Sequence, residues 1–242
     1  MSDRRATIWT ALRATAGVAG LSLAGSQIGF GAFAHGAGLS LFEVVFITVV
    51  IWALPAQVIL IGALSTGTGT GAALAAVSIS SIRLLPMVCS ILPLMRSPRM
   101  RLWQSLIASH FVAQTGWILG FLHLHDIARD QRPTFFFAVS AILVGSSMAF
   151  AALGWYIAGA LPFPLAVALL MLTPASFLLL TEKAARRPDE KIAMALGIVL
   201  LPIVHETAPL IGLGDWDLLI TGIVGGLIAF AIGLSLDRSR PA

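Results

Sequence analysis

The fold of this chain is decided by residues 25–32, which read GSQIGFGA, because a similar octet returns at residues 145–152 as GSSMAFAA. In register, the two octets share Gly, Ser, Phe and Ala at four positions. Of the other four positions, two pair Gly with Ala, one pairs Ile with Met and one pairs Gln with Ser. Such a match between two apolar stretches suggests an internal repeat.

Two further pairs of similar motifs occur in the same order along the chain. LPAQ at 54–57 is matched by TPAS at 173–176, and LLPMV at 84–88 is matched by LLPIV at 200–204. The offsets are 119 and 116 residues, against 120 for the octets. Because three ordered matches are hard to obtain by chance, we predict a duplicated unit. Its parts are a first repeat unit at 1–122, a connecting loop at 123–133 and a second repeat unit at 134–242.

The composition indicates an integral membrane protein. Of 242 residues, 58% are hydrophobic and 11% are charged, and the mean hydropathy is +0.94. A soluble domain carries roughly 25% charged residues, so this surface could not be covered against water. The formal charge of +4 is spread over the ends of apolar runs, which fits membrane topology better than nucleic-acid binding. The single cysteine, Cys89, excludes an internal disulfide framework.

Apolar runs of membrane-spanning length predict an all-α polytopic fold. Two of the runs, called here the proline-containing segments, carry a mid-segment proline, Pro55 or Pro174, which should break the helix or make it re-entrant because proline lacks a backbone donor. The eight apolar segments are 14–34, 41–64, 72–94, 102–122, 134–160, 165–182, 192–213 and 217–236.

The positions of Lys and Arg predict a cytoplasmic N-terminus but leave two topologies open. If all eight segments cross, eleven basic residues lie inside and three outside. If the two proline-containing segments are re-entrant, six segments cross, with twelve inside and two outside. Three crossings in each half would make the repeat inverted, as in many secondary transporters.

Arg83 is the first candidate for function, because an ionisable group inside an apolar segment is costly. It lies in the run Ser81-Ile82-Arg83. The guanidinium could hold the carboxylate of a substrate, with Ser81 beside it. A structural pair with Glu206, or with carbonyls freed by a proline, is the alternative.

Short polar side chains supply further candidates for substrate binding. Gln57 and Ser176 each follow a proline, where a broken helix leaves unpaired backbone groups that can recognise a zwitterion. Gln27 and Ser147, in the two octets, could face a central cavity. The alternative for the octets is tight packing of small residues, which we expect for their glycines and alanines.

Three residues are candidates for proton coupling: His110, His205 and Glu206. A Glu beside a His in a dry environment can titrate near neutrality, and the alternative is an ordinary helix end. For His110 the alternative is a hydrogen-bonded packing residue. Neither HExxH nor GxSxG occurs, and the five histidines are scattered. We therefore expect no enzyme activity, no metal and no cofactor.

The layout from about residue 10 to 230 resembles the AzlC family, the large subunits of bacterial branched-chain amino-acid exporters. The resemblance depends on the order and spacing of several short motifs and on a basic turn. They are LRAT at 12–15, IGFG at 28–31, AGLS at 37–40 with Glu43, PAQ at 55–57, SIR at 81–83, and the turn at 96–101.

This resemblance implies proton-driven export of small amino acids across the inner membrane, with a small AzlD-like membrane subunit as partner. The chain departs from the family in having Ser81 for Asn and Leu84 for His, and it lacks an acidic stretch near residues 109–111. The alternative function is a non-transporting membrane scaffold or accessory subunit, which would have no polar cavity.

Overall fold

In the structure, a computed structural model, all regular secondary structure is helical in the part of the chain that is described, as predicted. The described residues are 2–67, 69–97, 100–185, 188–207, 210 and 217–238. Short 3₁₀ helices lie at Leu124–Asp126 and Ala158–Ala160. The α-helices are α1 (Ser2–Thr15), α2 (Val18–Gly36), α3 (Leu41–Val50), α4 (Leu54–Ser65), α5 (Thr70–Ile82), α6 (Leu84–Met95), α7 (Leu102–His110), α8 (Gln114–His123), α9 (Arg132–Ile157), α10 (Phe163–Leu170), α11 (Leu172–Ala184), α12 (Pro188–Thr207) and α13 (Asp217–Arg238).

Four of the eight predicted apolar segments are pairs of shorter helices. Both proline-containing segments are interrupted, as predicted: one between α3 and α4, the other between α10 and α11. Pro55 and Pro174 lie in the first turns of α4 and α11, where a missing donor costs nothing. Further interruptions separate α1 from α2, α5 from α6 and α7 from α8, none of which was predicted.

Within the described residues, two stretches are long and apolar enough to cross a membrane, Arg132–Ala160 and Phe163–Lys183. Two bent pairs would raise the number to four if each is one span. The α1–α2 pair, counted from Arg4, bends by 58° and the α5–α6 pair by 44°. Large side chains such as Phe42 (77% exposed) and Phe163 (74% exposed) are uncovered, as on a lipid-facing surface.

The chain divides into two compact units, residues 1–180 and 181–242. In the second unit α12 packs on α13, with Gly225 of α13 facing Leu196 and Leu200 of α12. The first unit contains α1 to α10, the part of α11 up to Leu180, and two buried apolar clusters. Both clusters include residues of α2 and α9.

α2 and α9, which carry the two octets, pack directly against each other. A Cβ on Gly31 would overlap the Ala151 carbonyl, and the rings of His35 and Trp155 lie 5.0 Å apart. The 3₁₀ helix after α9 contacts α2 as well, so the C-terminal ends of both helices lie together. The packing role expected for the small octet residues is seen at Gly31 and Ala151, whereas a Cβ on Gly145 would meet no atom within 4 Å. An inverted repeat would set equivalent helices in opposite directions, and this pair does not favour that arrangement.

Candidate functional site

The first open interruption lies at residues 51–53, between α3 and α4. At its far end α3 is fully capped: the Ser40 hydroxyl accepts from the Glu43 amide, and the Glu43 carboxylate accepts from the Ser40 amide at 2.8 Å. α4 begins without a side-chain cap, so the amides of its first turn remain for another partner. The side-chain amide of Gln57 donates to the Ile51 carbonyl at 2.7 Å, which satisfies one group freed by the break.

The second open interruption lies at residues 111–113, between α7 and α8, and contains no proline. α8 also begins without a side-chain cap. The indole Nε1 of Trp52 donates to the Phe111 carbonyl at 3.1 Å. Because Trp52 belongs to the first interruption, this hydrogen bond joins the two breaks side by side.

The third interruption is Arg83 itself, the single residue between α5 and α6. Its side chain is half-buried, and its Nε is buried without a hydrogen-bond partner. A buried guanidinium donor without an acceptor is costly. The Arg83 Nε is therefore available to an acceptor, and the binding of a substrate carboxylate by Arg83 stays a prediction.

A small cavity of about 20 Å³ brings the three interruptions together. Arg83 lines it, opposite Leu54 and Pro55 of α4 and Gln114 and Thr115 of α8. The N-terminus of a helix carries a partial positive charge and unpaired N–H groups. The N-termini of α4 and α8 and the side chain of Arg83 line the cavity, and no Asp or Glu lines it. The cavity therefore favours a negatively charged group.

A larger cavity of about 210 Å³ adjoins the small one. Its walls are mostly apolar, with Ile51, Val77 and Val112 among them, and Ser81 and His110 supply the polar side chains. The Ser81 hydroxyl donates to the Val77 carbonyl at 2.8 Å, so it is satisfied within its own helix. The volume corresponds to about seven water molecules, enough for a small organic molecule.

The two adjoining cavities thus differ in character: the small one is lined by Arg83 and two helix ends, and the larger one is mostly apolar. The Phe111 and Ile51 carbonyls at the breaks already accept from Trp52 and Gln57. No group of three potential metal ligands occurs in the described residues.

The interruption between α10 and α11 is closed by α2. The Ser26 hydroxyl lies 3.0 and 3.2 Å from the Leu169 and Leu170 carbonyls, to which it donates, and it accepts from the Thr173 amide at 2.8 Å. Thr173 also reaches the wall of the small cavity. The Ser176 hydroxyl donates to the Thr173 carbonyl at 3.0 Å and is 7% exposed, so this predicted site residue supports the break locally.

The family model described as AzlC protein matches residues 19–161, more than half of the chain. The chain belongs to the AzlC family. No curated relative and no solved structure matches it. The family is associated with branched-chain amino-acid transport, and the apolar helices agree with a membrane protein. The AzlC match contains every residue that lines the two cavities except Thr173.

Within the AzlC match, Gln27 and Ser147 lie deep in α2 and α9, at 1% and 0% exposure. The Gln27 Oε1 and the Ser147 Oγ are buried without hydrogen-bond partners. Neither side chain lines the two cavities, so their assignment to the substrate site stays a prediction. Gln57 is fully buried at the first break, where its Nε2 is used and its Oε1 is unpartnered.

The three candidates for proton coupling lie in different places. His110 ends α7 and lines the larger cavity. His205 and Glu206 lie on the last turn of α12, in the second unit, and are exposed. The coupling role of all three stays a prediction.

Several lining residues of this AzlC chain were missed from sequence: Trp52, Gln114, Thr115 and Thr173. Trp52 could have been found, because it is an indole donor three residues before Pro55 in an otherwise apolar run. Gln114 and Thr115 had no such signal, since the break before them contains no proline or glycine.

Proposed function

We propose that this AzlC-family chain exports branched-chain or other small apolar amino acids across the bacterial inner membrane. One observation carries the proposal: a cavity lined by Arg83 and two uncapped helix N-termini adjoins an apolar cavity of about 210 Å³. The substrate carboxylate binds Arg83 and the helix ends, and its side chain occupies the apolar cavity. The N-terminus is cytoplasmic, and an AzlD-like small subunit is the partner.

Transport proceeds by alternating access, with closed and open states of the cavities. The cavity beside Arg83, at about 20 Å³, is too small for a carboxylate group, so the helices that line it must move when the substrate binds. The direction in which α2 and α9 pack leaves an inverted repeat without support. We therefore assign the movement between the closed and open states to the interrupted helices.

Protons drive the export, and His110 is the best-supported coupling residue. It lines the larger cavity, where a change in its charge would act on the bound amino acid. His205 and Glu206 remain the second choice. The alternative function, a non-transporting scaffold, predicts no polar cavity, and the Arg83 cavity favours transport over it.

Replacement of Arg83 tests the carboxylate role. Arg83→Ala should lower amino-acid efflux from loaded cells about 100-fold or more, because two charge-assisted hydrogen bonds are lost. Arg83→Lys should retain part of the efflux, since the charge stays but the planar fork does not. The matched control is Arg129→Ala in the exposed connecting loop, which should leave efflux unchanged.

The assay measures efflux over a panel of amino acids, with the amount of each variant in the membrane measured in parallel. A leucine whose carboxylate is converted to an amide should not be exported by the parent protein. Unchanged efflux in Arg83→Ala at a normal membrane level would overturn the carboxylate role. Efflux of no amino acid by the parent, alone or with its small partner subunit, would favour the scaffold.

A further inference from the structure

Four residues line both cavities: Trp52, Ala53, Leu84 and Ala113. They form the wall between the small cavity at Arg83 and the larger apolar cavity. Two are alanines, whose side chains are too short to close an opening. Of the other two, Trp52 is the larger, and a hydrogen bond fixes its orientation.

Trp52 is held by contacts that belong to two separate helix breaks. It is 8% exposed, lies in the break between α3 and α4, and donates to the Phe111 carbonyl of the break between α7 and α8. That carbonyl is left over where α7 ends, so the indole replaces a helical hydrogen bond. An exchangeable side-chain bond at a broken helix can form in one state and be lost in another.

We propose that Trp52 is a gate that closes the Arg83 cavity in the conformation described here. The small cavity has room for about one water molecule, whereas a carboxylate has three non-hydrogen atoms. A ligand that occupies both cavities must therefore displace part of the wall that they share. Breaking the Trp52–Phe111 hydrogen bond releases the indole, and the two cavities then merge. This inference rests on the proposed function in assigning both cavities to one ligand.

The gate predicts that removal of the indole donor opens the Arg83 cavity. Trp52→Phe keeps an aromatic ring but loses the Nε1–H donor. We test it with a cysteine reporter, Thr115→Cys, which lines only the small cavity and is 8% exposed as Thr. The background is Cys89→Ser, because Cys89 is the only cysteine of the chain and is exposed.

In the parent background a small charged methanethiosulfonate reagent should label Cys at position 115 slowly. Trp52→Phe should raise the labelling rate about five-fold, the effect of one ordinary hydrogen bond on an opening equilibrium. Trp155→Phe is the matched control, because the Trp155 indole also donates to a backbone carbonyl, that of Leu39, yet lines neither cavity. That control should leave labelling unchanged.

A second reporter separates gating from general loosening. Ser105→Cys is 7% exposed as Ser and lines neither cavity, and it should label equally slowly in all backgrounds. Trp52→Phe should also lower the amino-acid concentration at half-maximal efflux by up to about five-fold, because the open state is more populated before binding. A purely structural defect would not improve apparent affinity.

Equal labelling of Thr115→Cys with and without Trp52→Phe would overturn the gate, and so would faster labelling at both reporters. If Trp52→Phe folds poorly, Trp52→Leu gives the same comparison, because leucine is apolar and also lacks the Nε1–H donor. Labelling is measured without substrate, so failure of the gate and failure of the amino-acid assignment are separate results.

Discussion

The two proline-containing segments start from similar sequences and end as different structures. The first opens over residues 51–53, and the N-terminus of α4 faces a cavity with no side-chain cap. The second is interrupted only at Met171, and Ser26 of α2 bonds to both sides of the interruption. The start of α4 thus has no side-chain partner, whereas the Thr173 amide at the start of α11 donates to Ser26.

The role of a broken helix therefore depends on whether a neighbouring helix supplies hydrogen-bond partners to the break. Unpaired backbone groups are expensive within a membrane unless protein or a water-filled cavity satisfies them. Ser26 supplies hydrogen-bond partners to the second break, which is consequently part of the packed helical framework. The first break keeps its free donors next to Arg83, where a ligand can use them.

The largest expected effect comes from moving α2 away, because α2 supplies Ser26. Gly31→Ala would place a Cβ against the Ala151 backbone, which cannot shift without separating α2 from α9. We expect a loss of about 3 kcal/mol or more, at the upper end for overpacked cores. The measurement is thermal unfolding in detergent, and most of the variant should fail to accumulate in the membrane.

The matched control is Gly62→Ala in α4, where a Cβ would meet no atom within 4 Å. It should be neutral or slightly stabilising, since alanine favours helix over glycine. Equal stability of the Gly31 and Gly62 variants would show that α2 and α9 are not packed as described.

A smaller effect is expected when the second break loses its partner. Ser26→Ala removes the hydroxyl from the Leu169 and Leu170 carbonyls and from the Thr173 amide, and leaves buried groups unpaired. The cost should be about 2 kcal/mol, read as a lower unfolding temperature.

Ser22→Ala is the control for this change, because the Ser22 hydroxyl is exposed and bonds only within its own helix, to the Val18 carbonyl. Its cost should stay within about 0.5 kcal/mol. A Ser26→Ala variant as stable as Ser22→Ala would show that the Ser26 hydroxyl does not stabilise the second break.

Much of the packed helical framework could be predicted from sequence, because it depends on local signals. The apolar runs gave the helices, and Pro55 and Pro174 marked two of the interruptions. Arg83 was recognised because a charge in an apolar run is conspicuous in any context. The small residues of the octets indicated close packing, which Gly31 and Ala151 show.

The rest depends on contacts between distant residues, which no local pattern records. The break at 111–113 contains no proline or glycine, and the hydrogen bond that marks it comes from Trp52, 59 residues earlier. Likewise, no local pattern in the sequence indicates the bond from Ser26 to Leu169, which lies 143 residues away. The same applies to Gln27 and Ser147, because the sequence does not distinguish a buried octet residue in a cavity wall from one in a helix interface.

The smallest effect should come from the prolines themselves. Pro55 is the second residue of α4, where no helical hydrogen bond needs its missing donor. The first break is fixed by the bond from Gln57 to Ile51 and the bond from Trp52 to Phe111, neither of which involves proline. Pro55→Ala should therefore change stability by no more than about 0.5 kcal/mol and leave efflux within about two-fold of the parent. The break between α7 and α8 supports this expectation, because it persists without any proline. A large loss of efflux in Pro55→Ala at normal stability would mean that the proline holds the first break open. The difference between the two breaks would then come from their own sequences rather than from Ser26.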